Sequence, residues 1–218
     1  MTTYNNDALL KMANSQLGYA EVNGASKFGD WFGKTVAKKA GYKDAAWCDM
    51  FVSWVAHQTG QAAHVGQFAW TPDHAKWFEK HDAWGTTPKP GAVVFFDWGG
   101  SHNINAIDHV GLVESVISNT KIKTIEGNVH NAVVSKIRDS GTIVGYGYPD
   151  KVREFQQTQK NDTTAITVQA KQPVDGAPNP DPIAAGALLL PIALIVAYAK
   201  KHGHLTKVLA PLAARFKR

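Results

Sequence analysis

The sequence predicts an α+β domain, N-terminal helices packed on an antiparallel sheet, followed by a separate apolar and basic helical tail. Three observations lead there. Apolar residues recur at helical spacing up to about residue 60, and short β runs divided by turn residues fill 92–148. The 36 residues from 183 on carry all the excess positive charge.

Taken in order, Asn6 or Asp7 caps a first helix with apolar positions Leu9, Leu10, Met12, Ala13 and Leu17, stopped at Gly18. A glycine-rich stretch, Asn23 to Gly29, leads into a second helical pattern from Asp30 to Ala40. A third helix runs from Ala46 to Gly60 with the stripe Phe51, Val52, Val55, Ala56, leaving Cys48 at its N-terminus. The Trp- and Pro-containing middle, with Thr71-Pro72, Thr87-Pro88 and Lys89-Pro90-Gly91, reads as loop. Strands are expected at 92–98, 110–117, 121–125, 133–137 and 143–148. An α-then-β order suits helices on one face of an antiparallel sheet.

Residues 1–150 form the expected domain and 151–182 a polar, proline-rich linker ending in Ala177-Pro178-Asn179-Pro180-Asp181-Pro182. Residues 183–218 form the tail. Its first 17 residues, 183–199, carry no charge, and at 1.5 Å per residue they fall short of a bilayer core of roughly 30 Å. Leu205, Val208, Leu209, Leu212 and Phe216 then alternate with bases, a pattern suited to an anionic membrane surface or to a docking protein partner. The tail's six bases face no acid, so residues 1–182 hold the other 17 bases against 18 acids. A nearly neutral, aromatic-rich domain argues against a nucleic-acid partner.

One cysteine in the chain excludes an internal disulfide and multi-cysteine zinc sites. At a helix N-terminus the partial positive charge favours thiolate, so the Cys48 pKa is expected to be lowered. A thiol nucleophile needs a base and a group to orient that base. His109 opens one strand, Glu126-Gly127-Asn128 closes the next, and a short turn at Ser118-Asn119 makes the two antiparallel, so these residues become neighbours. His102 and Asp108 together with His109 offer an alternative metal-binding set, whereas His57, His64, His74, His81 and His130 read as surface or structural.

Four blocks in this order, Trp47-Cys48-Asp49-Met50-Phe51-Val52-Ser53-Trp54, Pro90-Gly91-Ala92-Val93-Val94-Phe95-Phe96, Asp108-His109-Val110-Gly111-Leu112-Val113 and Ile125-Glu126-Gly127-Asn128, resemble the CHAP domain. This is the cysteine- and histidine-dependent amidohydrolase/peptidase module of peptidoglycan hydrolases, a papain-like fold related to NlpC/P60. The resemblance spans roughly residues 8–150. It implies Cys48 as nucleophile, His109 as general base, Glu126 as its orienting partner with Asn128 in support, and bacterial peptidoglycan as substrate. Trp47 stands where some members place an oxyanion-binding Gln, and Trp47, Trp70 and Trp98 are the candidate substrate-contacting residues. No cofactor is expected: between 38 and 45 only Asp44 supplies a carboxylate, too few for calcium's 6–8 oxygens.

The implied activity is that of a cell-wall amidase or endopeptidase. The alternative is a membrane-disrupting or structural protein whose CHAP-like domain only targets the wall. The N-terminus lacks a basic-then-apolar leader, so action at the wall, with delivery by a phage or an injection apparatus, is the expected setting.

Overall fold

The computed structural model describes residues 4–152. The linker and tail expected at 151–182 and 183–218 fall, but for Lys151 and Val152, outside the described residues. Among the described residues no helix is long and apolar enough to cross a membrane.

Helix α1 spans Asn6–Asn14. Its cap is Asn5, whose side chain accepts the Ala8 N–H at 3.0 Å, one residue earlier than the sequence suggests. Leu9 and Ala13, four apart, are its buried positions. Helix α2, Lys27–Phe32, begins earlier than expected because Ser26 accepts the Gly29 N–H at 2.9 Å. It continues into a π-helical turn, Gly33–Ala37.

Helix α3, Cys48–Gln58, matches its apolar stripe and buries Met50, Phe51, Val52, Val55 and Ala56. The middle segment is not loop: it holds α4, Ala62–Val65, and α5, Thr71–Lys80. Pro72 sits in the first turn of α5, where a missing N–H costs nothing because no intrahelical acceptor is available there. Reading that proline only as a breaker hides the helix.

The strands are β1, Trp84–Gly85, β2, Val93–Phe96, β3, His109–Ser118, β4, Lys121–Val129, β5, Ala132–Asp139, and β6, Ile143–Gly147. They form one antiparallel sheet in the order β1-β6-β2-β3-β4-β5. All four residues of β2 are buried, because the sheet has a core on both faces. Val93 and Phe95 join the large core with Leu9, Phe28, Phe51, Val55 and Phe78 from the helices. Val94 and Phe96 join a smaller cluster with Val113, Ile122 and Tyr146.

Two close approaches bring helix and strands together around α3. A Cβ on Gly127 would lie 2.6 Å from Cβ of Phe51 and 2.9 Å from Cζ3 of Trp47, so only glycine lets β4 lie this close to α3. A Cβ on Gly111 would lie 2.7 Å from Cγ of Glu126, so β3 leaves room there for the Glu126 side chain.

Candidate active site

Cys48 is the first residue of α3 and is 8% exposed. Backbone N–H groups of Asp49, of Val110 and of Cys48 itself favour the thiolate. Val110 follows His109 on β3, so the helix start abuts the start of that strand. The lowered pKa expected from the helix terminus is not what the structure gives. Burial, and then the neighbouring Asp49 carboxylate, outweigh the N–H groups and push the thiol up to about 12. Helix-terminus reasoning from sequence counts the dipole but not the desolvation.

The hairpin β3–β4 is antiparallel as expected, but it turns at 119–120, one residue later than the Ser118-Asn119 turn read from the sequence, with Leu112 opposite Ile125. It places His109 against Glu126, with Nε2 of His109 2.9 Å from Oε2 of Glu126. Both are buried. With Nε2 engaged there, Nδ1 is the ring nitrogen left for a substrate or a nucleophile.

Glu126 is fully buried, and its carboxylate is held by more than His109. Arg138 on β5 donates through Nε to Oε1 at 2.8 Å and through Nη2 to Oε2 at 2.6 Å, a bidentate pair. Thr124 donates its hydroxyl to Oε1 at 2.5 Å. Burial alone would raise the Glu126 carboxyl. The donors of Arg138, His109 and Thr124 overcome that and hold it at about 2.

Asn128, expected to support Glu126, makes none of these bonds. It lies where the β4–β5 register slips, with φ 62, in the left-handed region. The bulge takes it out of the simple two-residue alternation that its expected role assumes. The support comes instead from Arg138 and Thr124, which the sequence reading does not single out.

Trp98 lies at the site and is 45% exposed. Its ring stacks on His109 with centroids 5.5 Å apart and planes 30° from parallel. Arg138 lies 4.9 Å from the other partner of this stack, the centroid of the Trp98 ring. The turn that carries Trp98 is tied down by the Asp97 carboxylate, which accepts from Gly99, from the Ser101 N–H and from the Ser101 hydroxyl. Asp108 accepts the Trp98 N–H at 3.3 Å.

Trp70 is 63% exposed at the start of α5, and its neighbour Thr71 donates to the Ile107 carbonyl at 2.9 Å, two residues before His109. Trp47 does not belong with these two. It is 1% exposed, stacks on Phe28 and donates its indole N–H to Glu21 at 2.7 Å, so it is core and not a substrate contact.

The alternative metal set is not assembled. His102 turns its Nδ1 to the Ile143 carbonyl at 3.1 Å, and Asp108 serves Trp98. Among the described residues no group of three or more His, Cys, Asp or Glu side chains is arranged to hold a metal ion.

No curated protein and no solved structure matches the chain. The family model described as "CHAP domain" matches residues 37–128, a span that contains Cys48, His109 and Glu126. The helices on a six-stranded antiparallel sheet fit that fold, and the chain contains a CHAP domain.

Proposed function

We propose that the protein is a peptidoglycan hydrolase that cleaves an amide bond of the bacterial wall, as an amidase or an endopeptidase, through a Cys48 thioester. The observation that carries this reading is the linked order of groups at the junction of α3 and β3. Cys48 opens α3 and packs in one buried cluster with Val110, the residue after His109, and His109 is held through Nε2 by a buried, ionised Glu126. The CHAP domain supports the reaction class.

In this reading Cys48 rests as a thiol, since burial disfavours the thiolate. Its proton passes to Nδ1 of His109 as sulfur attacks the amide carbonyl carbon, and Glu126 stabilises the imidazolium that forms. The tetrahedral oxyanion develops at the N-terminus of α3, where backbone N–H groups are available. His109 returns the proton to the leaving nitrogen, and the C–N bond breaks to leave an acyl thioester on Cys48. A water then gives a proton to His109 and attacks the thioester, the C–S bond breaks, and the thiolate recovers the proton. Each turnover consumes one water and yields one carboxylate and one amine.

Trp98 and Trp70 are the candidate walls of the cleft, since both are exposed and both are anchored to the segment leading into His109. The test is product analysis on purified peptidoglycan. Mass spectrometry is expected to find fragments ending in new free amino and carboxyl groups, and their position identifies the bond. Release of new reducing sugar ends with no new amino groups contradicts the reading.

A further inference from the structure

The residue after Cys48 takes part in a second buried arrangement that the proposed steps do not use. Asp49 is 1% exposed and His74, on α5, is 0% exposed. Oδ1 of Asp49 lies 2.7 Å from Nδ1 of His74, and Nε2 of His74 lies 2.6 Å from the Val65 carbonyl oxygen. A carbonyl only accepts, so Nε2 carries a hydrogen. The contact at Nδ1 also needs one proton, on the ring or on the carboxyl. Either way the pair as a unit carries no net charge.

The ring is held in place on all sides. Phe68 stacks at 4.7 Å, Phe78 stacks at 5.1 Å and Phe95 meets it edge-on at 5.3 Å. Apolar side chains fill such a site at least as well as a buried ionisable pair does, so stability alone does not account for this one. Its position does: the carboxylate belongs to the residue bonded to Cys48, and its charge opposes a charge on the sulfur. The other ionisable groups around this junction are His109 on β3, Glu126 on β4 with Arg138 on β5, and Glu21, which bonds Trp47. On α5 and β2 the His74 ring meets the rings of Trp77, Phe78 and Phe95.

We propose that Asp49 and His74 are a positioning pair for Cys48, in which His74 offsets part of the Asp49 charge so that a thiolate can form beside the charge that remains. The inference rests on the reading of Cys48 as the nucleophile. Asp49 acts on the sulfur directly, and His74 acts only through Asp49.

Because the chain has one cysteine, alkylation by iodoacetamide, followed by mass spectrometry of the full chain, reports on this thiol without requiring wall cleavage. A neighbouring charge shifts a titration by about one to three pH units, so Asp49→Asn is expected to speed alkylation about tenfold at neutral pH and to move its alkaline rise to lower pH. His74→Gln is expected to slow it by about the same factor and to move the rise upward. The double variant should behave like Asp49→Asn, since His74 then has no charge to neutralise. A purely structural role gives both single variants shifts of the same sign, or a double variant equal to their product, and either result overturns the proposal. If circular dichroism shows that His74→Gln does not fold, Asp49→Asn decides alone, and an unchanged or slower rate refutes it. Wall cleavage that survives Cys48→Ser removes the catalytic reading while leaving these alkylation rates to be judged separately.

Discussion

Replacing Arg138 by Met tests whether Glu126 is held ionised by its partners. Two of the four hydrogen bonds to that carboxylate come from Arg138, at 2.8 and 2.6 Å, and the others from Thr124 and His109. The Glu126 carboxyl sits at about 2 against an ordinary 4.5. At about 1.4 kcal/mol per pH unit, the ionised carboxylate stabilises the folded state by about 3 kcal/mol at neutral pH. Arg138 supplies half of the bonds and a charge that needs no proton uptake, so its removal should cost about 2 kcal/mol. That sits below the usual range for a broken buried pair because the Arg138 side chain is 24% exposed.

The sign with pH follows from the depressed value. The contribution is fully present above 4.5 and is lost as pH falls towards 2. In Arg138→Met the carboxyl titrates closer to its ordinary value, so stability begins to fall at higher pH than in the unaltered protein. At pH 2 the carboxyl is protonated in Arg138→Met and about half protonated in the unaltered protein, most of the contribution is gone, and the two curves converge. Urea unfolding of the full chain, followed by tryptophan fluorescence at several pH values, reads this directly. A difference that stays constant from neutral pH down to pH 2 refutes the electrostatic account. It would leave packing of Arg138 on Trp98 and Phe96 as the role of this side chain.

Three further outcomes follow. Gly111→Ala puts a Cβ at 2.7 Å from Cγ of Glu126, which must retreat by the better part of an ångström. A displacement of that size should reduce wall cleavage by about 100-fold, measured as the rate of peptidoglycan solubilisation by folded protein. Trp47→Phe removes the bond to Glu21 and should cost about 1–2 kcal/mol in thermal or urea unfolding, with cleavage within a few-fold of normal; a large loss of activity in stable protein would return Trp47 to the cleft. EDTA should leave cleavage of purified walls unchanged, because every step assigned above runs through Cys48, His109 and Glu126; inhibition reversed by added calcium or zinc contradicts this.

The parts of the site that lie within one hairpin were legible in the sequence. A turn after Ser118 brings the start of β3 beside the end of β4, so that His109 and Glu126 become neighbours, but two shifts of register between Val113 and Ser118, which the sequence does not show, set that Glu126 lies across from Gly111 and meets His109 diagonally. The apolar stripe of α3 likewise fixes Cys48 at the start of that helix. Arg138 was not legible, because its contact depends on a third strand. It stands opposite Ile122 in the register of β4 and β5 and reaches Glu126 along the face, whereas a lone arginine in a hairpin of alternating pattern reads as a surface group. The turn at His130 and Asn131, both with positive φ, is the signal that would have extended the count to β5. In the sequence His74 does not stand out from His57, His64, His81 and His130 as anything but a surface or structural histidine, and its segment, with Pro72, reads as loop. Once α5 is recognised, His74 and Phe78, four apart, fall on its buried face. Desolvation of Cys48 and the bulge at Asn128 are tertiary effects that hydrophobic patterning along the chain does not encode.

The most direct test of the catalytic assignment is cleavage of purified peptidoglycan by full-length Cys48→Ser beside the unaltered protein, with folding of both checked by circular dichroism. Oxygen in place of sulfur changes the volume little and leaves a far weaker nucleophile, so the account predicts folded protein that releases no wall fragments above background. Fragment release by folded Cys48→Ser at a rate comparable to that of the unaltered protein would contradict it.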